Sequence, residues 1–307
     1  MGKIFASYGI ITVQPDYRNF PQGTVEDMVD DVNRSIAWVY QNVELFGGNP
    51  NEIYIMGQSA GAHLGCLTVL KKALQEASQE NGPSLEENGH IETIYDNGHA
   101  RFQFTIPNKN NWKLANVKAC IGVSGPYNLI KIENHFDYKG LPKRLLHAIF
   151  GGKKKMNQLS PTLLLKENKE FTKANVVSRI PKMILLHGTN DTSVHYTETT
   201  DFDYWLCKRG ADSFVKLYPT HTHTDGILEK LICIDEGMTD DLMFDVVAFV
   251  TQKFEVHKGD SPETVFPKRL HQLSFNAPNE EKLKNRSIHR SLLPQFMVST
   301  ARFINPF

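Results

Sequence analysis

The sequence has few cysteines, no surplus of either charge and no long apolar run. Its 307 residues contain four cysteines, all far apart in the chain, and none of them forms a CxxC pair. This pattern excludes a disulfide framework and indicates thiols in a reducing compartment. Basic and acidic residues both number 34, so the composition favours neither a nucleic-acid partner nor an acidic tail. The first residues lack a secretory signal, and no apolar stretch is long enough to span a bilayer. The cysteines are Cys66, Cys120, Cys207 and Cys233.

Sequence motifs for metals and nucleotides are also missing. There is no HExxH, no Cys/His ligand cluster and no GxGxxG that opens a helix after a strand. We therefore predict that the protein needs neither a cofactor nor a metal.

Predicted strands and helices alternate along most of the chain. Apolar runs rich in β-branched residues predict strands, and between them apolar residues recur at helical spacing. This alternation indicates an α/β fold with a mostly parallel sheet and helices on both faces. The predicted strands lie at residues 9–18, 52–56, 117–127, 182–191 and 213–219, and the fourth of them ends in a polar turn.

We predict one catalytic domain over residues 1–252, with two distinct segments inside it. Residues 76–116 are rich in Asn, Glu and Gly and are predicted to be a mobile polar surface insertion. Residues 135–175 are predicted to be a lid-like helical segment. Residues 253–307 form a polar tail that ends in an apolar segment.

The run Gly57-Gln58-Ser59-Ala60-Gly61 follows a predicted strand and precedes a predicted helix. This is the G-x-S-x-G pattern of a nucleophile elbow, in which a strained turn exposes a serine hydroxyl. We expect larger side chains at either glycine to collide with the neighbouring strand and helix. Gln58 and Ala60 are assigned to oxyanion or substrate binding, with the Ala60 N–H as one oxyanion donor. The plainer alternative is a small-residue turn that closes a helix against a sheet.

An acid and a base follow in the chain order expected for this architecture. Asp191 follows one predicted strand and His223 follows the next, so both should reach the sheet edge that carries Ser59. His223 is then the general base, and Asp191 orients it. Asp191 could instead be a turn residue beside Asn190. His221 lies only two positions from His223, and position alone barely separates the two histidines.

Three other polar residues near these positions have ordinary structural interpretations. His63, on the helix after the elbow, is interpreted as a packed core residue. Ser124 follows a strand but precedes no elbow-like helix, so we interpret it as a turn residue. Asp225 could cap a helix.

Several runs resemble the isoprenylcysteine α-carbonyl methylesterases, which belong to the α/β-hydrolase superfamily. The resemblance covers most of residues 5–75 and 117–252, together with the C-terminus. The elbow is common to many esterases, whereas the other runs are more specific. These runs are "DYRNFPQGTVEDMVDDV", "FGGNPNEIYIMGQSAGAHLG", "HFDYKGLPKRLLHAIFGG", "LLHGTND", "THTD" and "LLPQFMVSTARFINPF".

The resemblance implies that Ser59, Asp191 and His223 form a catalytic triad, and the "THTD" run favours His223 over His221. It also implies a serine carboxylesterase that hydrolyses the methyl ester of a C-terminal S-isoprenylcysteine and releases methanol. The expected partners are prenylated and carboxyl-methylated protein tails of the small-GTPase kind. The resemblance also implies a location at the membrane of the endoplasmic reticulum and Golgi. Apart from the resemblance, the chain would be expected in the cytoplasm.

The sequence departs from the resemblance at its beginning. The fold usually has strands before "GIITVQPDYR", with a glycine-rich loop that supplies further oxyanion N–H groups. Residues 1–8 contain no such loop, so we expect an N-terminally truncated α/β-hydrolase fold. Loss of one oxyanion donor typically lowers the rate by about 10²–10³. A non-catalytic binding protein is therefore an alternative of a different class.

Two sets of residues could contact a prenylated substrate or the membrane that carries it. A set of apolar residues in the helical segment could line a trough for a prenyl chain, or could be an ordinary core face. Basic residues before the apolar C-terminus could contact an anionic membrane, or that terminus could dock on its own domain. A general short-chain carboxylesterase or an arylformamidase-like hydrolase is the closest rival function. The trough residues are Phe136, Leu145, Leu146, Ile149, Phe150 and Leu159, and the basic ones are Lys282, Lys284, Arg286 and Arg290.

Overall fold

The computed structural model describes residues 2–79, 90–96, 99–225 and 241–251. Its strands are β1 Ile53–Gln58, β2 His90–Asp96, β3 His99–Ile106, β4 Val117–Val123, β5 Lys182–Gly188 and β6 Ser213–Tyr218. Its α-helices are α1 Gly2–Ser7, α2 Val25–Asn42, α3 Ala60–Gln79, α4 Leu129–Tyr138, α5 Lys143–Phe150, α6 Lys153–Gln158, α7 Pro161–Glu167, α8 Ala174–Val177, α9 Thr197–Arg209 and α10 Asp241–Val250. Short 3-10 helices cover Val43–Phe46, Leu114–Asn116 and Lys169–Thr172.

Four strands form a parallel sheet in the order β1-β4-β5-β6. Alternate residues of β5 point to opposite faces, as strand geometry requires. Met183 and Leu185 face a core formed with helices α2, α3, α7, α8 and α9, whereas Ile184 and Leu186 face a core formed with α1 and α10. The predicted α/β architecture, a parallel sheet with helices on both faces, is therefore confirmed.

The strand predicted at residues 9–18 is not formed. Residues 10–18 have no regular secondary structure, and in the described part of the chain β1 pairs only with β4. A strand exists only through its hydrogen-bonded ladder, so β-branched composition without a pairing partner is not sufficient. Ile11 and Val13 are accordingly exposed. The segment is held instead by Arg18, whose guanidinium donates to both carboxylate oxygens of Asp31 on α2, each at 2.8 Å.

The interpretation of residues 76–116 as a polar surface insertion is only partly right. Helix α3 extends into this segment, strands β2 and β3 pair as an antiparallel hairpin, and Trp112 and Leu114 are buried in the core. Asn42 fixes the hairpin to the end of α2, because its amide bonds to both the N–H and the carbonyl of Thr105 at 2.8 Å. Lys72 bonds to the Asn110 carbonyl at 2.9 Å. The mobility of this segment stays a prediction.

The predicted helical segment at residues 135–175 is a succession of short helices, α4 to α8, and its lid-like role stays a prediction. Half of the proposed prenyl trough packs against α2 and α3: Leu146, Phe150 and Leu159 are buried there. Phe136 and Ile149 pack at the margin of the same cluster, and Leu145 is exposed. These residues thus have the contacts of an ordinary core face.

Several predictions concern residues outside the described ranges. These include the polar tail at 253–307, its basic residues and Cys233. Within the described ranges, Cys66, Cys120 and Cys207 form no disulfide. No helix in those ranges is both long enough and apolar enough to cross a bilayer.

Candidate active site

Ser59 occupies a strained turn between β1 and α3. Strand β1 ends at Gln58 and α3 begins at Ala60, so one residue must reverse the chain. Ser59 does so with φ of 53°, in the left-handed region that non-glycine residues rarely adopt. Its backbone N–H donates to the Val123 carbonyl of neighbouring β4 at 2.8 Å. The serine is therefore held at the carboxyl edge of the sheet by a hydrogen bond between adjacent strands.

The two glycines of the elbow differ in what surrounds them. A Cβ at Gly57 would lie 2.2 Å from the Gly61 carbonyl oxygen, so the turn closes only with glycine at position 57. A Cβ at Gly61 would meet no atom within 4 Å. The expected collision at Gly61 is therefore wrong: the Gly61 backbone crowds Gly57, but the Gly61 α-carbon faces open space.

Asp191 lies in the turn after β5, and its carboxylate is fully hydrogen-bonded. Oδ1 accepts from the backbone N–H groups of Ser193 and Val194 at 2.8 and 2.9 Å. Oδ2 accepts from His223 at 2.7 Å and lies 3.1 Å from Nε2 of His187. Burial by itself raises the pKa of Asp191, but the hydrogen bonds from His187, His223 and the Val194 N–H hold that pKa below its ordinary value. Asp191 is therefore a carboxylate at neutral pH.

The His223 ring bridges Ser59 and Asp191. Its Nδ1 lies 2.7 Å from Asp191 Oδ2, and its Nε2 lies 2.9 Å from Ser59 Oγ. A carboxylate oxygen can only accept, so Nδ1 carries the proton and Nε2 can accept the serine hydroxyl proton. The side chain is 13% exposed, which leaves the base accessible from solvent.

The side chains of Gln58 and Asp225 position the loop that carries His223. The Gln58 side-chain amide donates to the His223 carbonyl at 2.9 Å. Asp225 closes the loop by accepting from the N–H and the hydroxyl of Thr222, both at 2.7 Å. The Gln58 side chain thus contacts the histidine loop, and its assignment to oxyanion or substrate binding stays a prediction.

The other candidate residues lie elsewhere. His221 Nδ1 is 3.3 Å from the Pro219 carbonyl, so of the two neighbouring histidines it is His223 that lies between Ser59 and Asp191. His63 is buried, and its Nε2 bonds to the Leu159 carbonyl at 2.7 Å. Ser124 is buried at the end of β4, with φ of 50°.

Ala60 is the first residue of α3, so its N–H has no acceptor within the helix. The positive end of the helix dipole lies at the same point, next to Ser59. This N–H is well suited to stabilise negative charge that develops beside the serine hydroxyl. Its use as an oxyanion donor stays a prediction.

His187 is a polar residue of this site that the sequence interpretation missed. It lies on β5 inside the "LLHGTND" run, is fully buried, and reaches the same carboxylate oxygen that His223 contacts. Its Nδ1 is 2.6 Å from the hydroxyl of Thr199 on α9. A histidine four positions before the predicted acid, directly after the apolar run "MILL" of β5, was the signal that could have indicated it.

Comparison with known proteins gives a family match and several named relatives. A protein-family model described as BD-FAE matches residues 1–206. Isoprenylcysteine alpha-carbonyl methylesterase ICME of Arabidopsis thaliana is 31% identical over 307 residues, and the match covers 100% of this chain and 59% of the relative. Probable isoprenylcysteine alpha-carbonyl methylesterase ICMEL1 of Oryza sativa subsp. japonica is 30% identical, with the same coverage. Over 65 residues, 21% of this chain and 15% of the relative, the chain is 43% identical to the probable carboxylic ester hydrolase LipM of Mycobacterium tuberculosis.

These matches confirm the resemblance that the sequence motifs indicated. The chain spans 59% of the length of each of the two plant relatives. The substrate that appears in these names is the substrate of the plant relatives.

Proposed function

Because the chain belongs to the BD-FAE family of α/β-hydrolases, we propose that it is a serine carboxylic-ester hydrolase. Ser59 is the nucleophile, His223 the general base, and Asp191 the residue that orients His223. One observation carries this proposal: a single imidazole connects a strained serine to a buried carboxylate, with contacts of 2.9 and 2.7 Å.

The reaction follows from the proton positions in the site. Ser59 Oγ attacks the ester carbonyl carbon while its proton passes to His223 Nε2. Asp191 stabilises the resulting imidazolium, and the Ala60 N–H at the start of α3 donates to the carbonyl oxygen as it becomes negative. His223 then returns the proton to the leaving alkoxide, which departs as an alcohol. Water, deprotonated by His223, hydrolyses the acyl-enzyme and restores Ser59.

We propose the methyl ester of a C-terminal S-isoprenylcysteine as the substrate class, with methanol and a free carboxylate as products. The names of the two full-length matches support this assignment. The macromolecular substrates would then be prenylated, carboxyl-methylated protein tails. Such tails reside on membranes, so the proposed site of action is the endoplasmic reticulum and Golgi surface.

The catalytic assignment is tested with a fluorophosphonate probe, which reacts covalently with activated serines. We expect wild-type protein and Ser124→Ala to be labelled and Ser59→Ala to remain unlabelled. Ser124 is the matched control, since it also ends a parallel strand with positive φ but contacts no histidine in the hydrogen bonds of the described residues. Labelling of Ser59→Ala at the wild-type rate would refute the proposal.

The substrate class is tested separately, with two esters that differ only in the prenyl chain. We expect kcat/KM to be much higher for N-acetyl-S-farnesylcysteine methyl ester than for N-acetyl-S-methylcysteine methyl ester. Equal values would instead identify a general short-chain carboxylesterase. The burial of Leu146, Phe150 and Leu159 in the core favours that second candidate, because these side chains then offer no surface to a prenyl group.

A further inference from the structure

We infer that His187 is a positioning residue for the proposed triad, one that holds Asp191 in the orientation that His223 requires. This inference rests on the proposed function, since it assigns a role through Asp191. In the described hydrogen bonds His187 touches neither Ser59 nor His223. Its contacts are with the Asp191 carboxylate, the Val194 carbonyl of the turn that carries Asp191, and the Thr199 hydroxyl.

The proton position on His187 follows from its neighbours. Nε2 lies 2.8 Å from the Val194 carbonyl oxygen and 3.1 Å from Asp191 Oδ2. A carbonyl and a carboxylate oxygen can only accept, so Nε2 must carry a proton and must donate to this pair. The geometry therefore sets the tautomer of His187, and the donated proton points between the Val194 carbonyl oxygen and the Asp191 carboxylate.

The other ring nitrogen is held from helix α9. Nδ1 lies 2.6 Å from the Thr199 hydroxyl, and both side chains are fully buried. With the proton on Nε2, a neutral ring accepts from Thr199 at Nδ1. The contacts thus form a directed chain, in which Thr199 donates to His187, and the His187 N–H is shared between the Val194 carbonyl and the Asp191 carboxylate.

The carboxylate of Asp191 is consequently fixed from three directions. Backbone N–H groups of its own turn hold Oδ1, His223 approaches Oδ2 from the loop after β6, and His187 approaches Oδ2 from β5. Without His187, Oδ2 would have one side-chain donor, and the remaining bonds would hold the carboxylate less firmly against rotation about its Cβ–Cγ bond. An apolar side chain would satisfy the packing of a fully buried strand position at lower desolvation cost, so packing alone does not explain an imidazole there.

The kinetic test uses p-nitrophenyl acetate and the variants His187→Leu, His187→Gln and Thr199→Val. We expect His187→Leu to lower kcat about 10- to 100-fold with little change in KM, because a small misplacement of a catalytic group has effects of this size. His187→Gln keeps an N–H donor close to the Nε2 position and should recover much of the loss. Thr199→Val is nearly isosteric and should cause a smaller loss of the same kind.

A double-mutant cycle distinguishes positioning from general structural damage. In an Asp191→Ala background, we expect His187→Leu and Thr199→Val to lower kcat no further, since the residue through which they act is gone. If the losses instead multiply, with Thr199→Val remaining folded, the positioning role is wrong.

A measurement that needs no turnover separates this inference from the proposed function. The proton on His223 Nδ1 should give a low-field NMR signal, which is assigned by its loss in His223→Gln. We expect the signal to move downfield in folded His187→Leu, because Oδ2 then has one donor instead of two, and to return toward its wild-type position in His187→Gln. An unmoved signal in folded His187→Leu would overturn the inference even if the wild type hydrolyses esters. Conversely, a shifted signal in a chain that Ser59-directed probes fail to label would refute only the proposed function.

Discussion

The α-carbon of Gly188 lies directly against the backbone of His221. A Cβ added at Gly188 would be 2.2 Å from the His221 carbonyl oxygen, and that same carbonyl accepts from the Asn190 N–H at 3.0 Å. The turn that carries Asp191 and the loop that carries His223 are thus joined through their backbones. The distance between the proposed acid and base depends on this close contact as well as on their own side chains.

Gly188→Ala should therefore impair catalysis more than it impairs the fold. The new methyl group must push the loop that carries His223 away from the turn that carries Asp191, since the two nearest atoms it meets are the His221 carbonyl group, which is backbone and cannot swing aside. We expect kcat for p-nitrophenyl acetate to fall about 100-fold, in line with the effect of displacing a catalytic group by about 1 Å. Gly65→Ala is the control, because a Cβ there meets only Ile55 at an ordinary 3.4 Å. Wild-type kcat in Gly188→Ala would show that the loops can separate without consequence.

The two glycines of the elbow should respond in opposite ways to substitution. Gly57→Ala places a methyl group 2.2 Å from the Gly61 carbonyl oxygen, and we expect it to destabilise the fold by about 1–3 kcal/mol or more. Gly61→Ala meets open space within helix α3 and replaces a poor helix former, so we expect no loss and up to about 1 kcal/mol of stabilisation. Urea unfolding of both variants measures the difference. A large destabilisation in Gly61→Ala would show that the elbow requires glycine at both positions, as expected from the sequence.

Substitution of His221 and of His223 in turn tests which of the two histidines is the general base. His223→Ala removes the ring between Ser59 and Asp191, and we expect kcat to fall about 10⁴-fold or more, as in other triads that lose a member. His221→Ala removes a ring that packs on Tyr218 and contacts the Pro219 carbonyl, so we expect at most a modest decrease in kcat. If His221→Ala is the variant that loses activity, the base has been assigned to the wrong residue.

The site residues could be found from sequence because their positions depend on strand ends. In a parallel sheet the carboxyl ends of neighbouring strands share one edge, so any polar residue directly after a strand is brought toward the others. Ser59, Asp191 and His223 each follow a strand of the same sheet, and β1, β4, β5 and β6 are in the order that brings them together. Strand ends were sufficient to predict Ser59 and Asp191, whereas the choice of His223 over His221 came from the resemblance of the "THTD" run.

Pairing and side-chain direction could not be predicted in the same way. The run at 9–18 has the composition of a strand, but a strand needs a ladder, and composition does not specify the partner. The hairpin of β2 and β3 was not predicted, because its segment was assigned from its polar content, although "HIETIYD" contains the β-branched and aromatic residues that strands favour. His187 was missed because only the turn after β5 brings its ring back to Asp191.

The buried His63 should make the stability of the protein depend on pH. Its Nε2 donates to the Leu159 carbonyl at 2.7 Å, which ties α3 to the helical segment one turn after Ser59. Desolvation is the largest influence and lowers the pKa of His63 from 6.5 to about 4, against the opposing effect of the Leu159 carbonyl. The folded protein therefore keeps this ring neutral at a pH where the unfolded chain already protonates it.

The sign of the effect follows from proton linkage. Above about pH 6.5 the ring is neutral in both states, and the stability is complete. As the pH falls from 6.5 to about 4, the unfolded state binds a proton that the folded state excludes, and about 3 kcal/mol of stability is lost. His63→Gln preserves an N–H donor but cannot titrate, so its free energy of unfolding should fall less between pH 7 and pH 4.5 than that of the wild type. The control is His195→Gln, which makes the same substitution at an exposed position. Urea unfolding at the two pH values measures all three proteins, and an identical loss in wild type and His63→Gln would mean that His63 is not held neutral by burial.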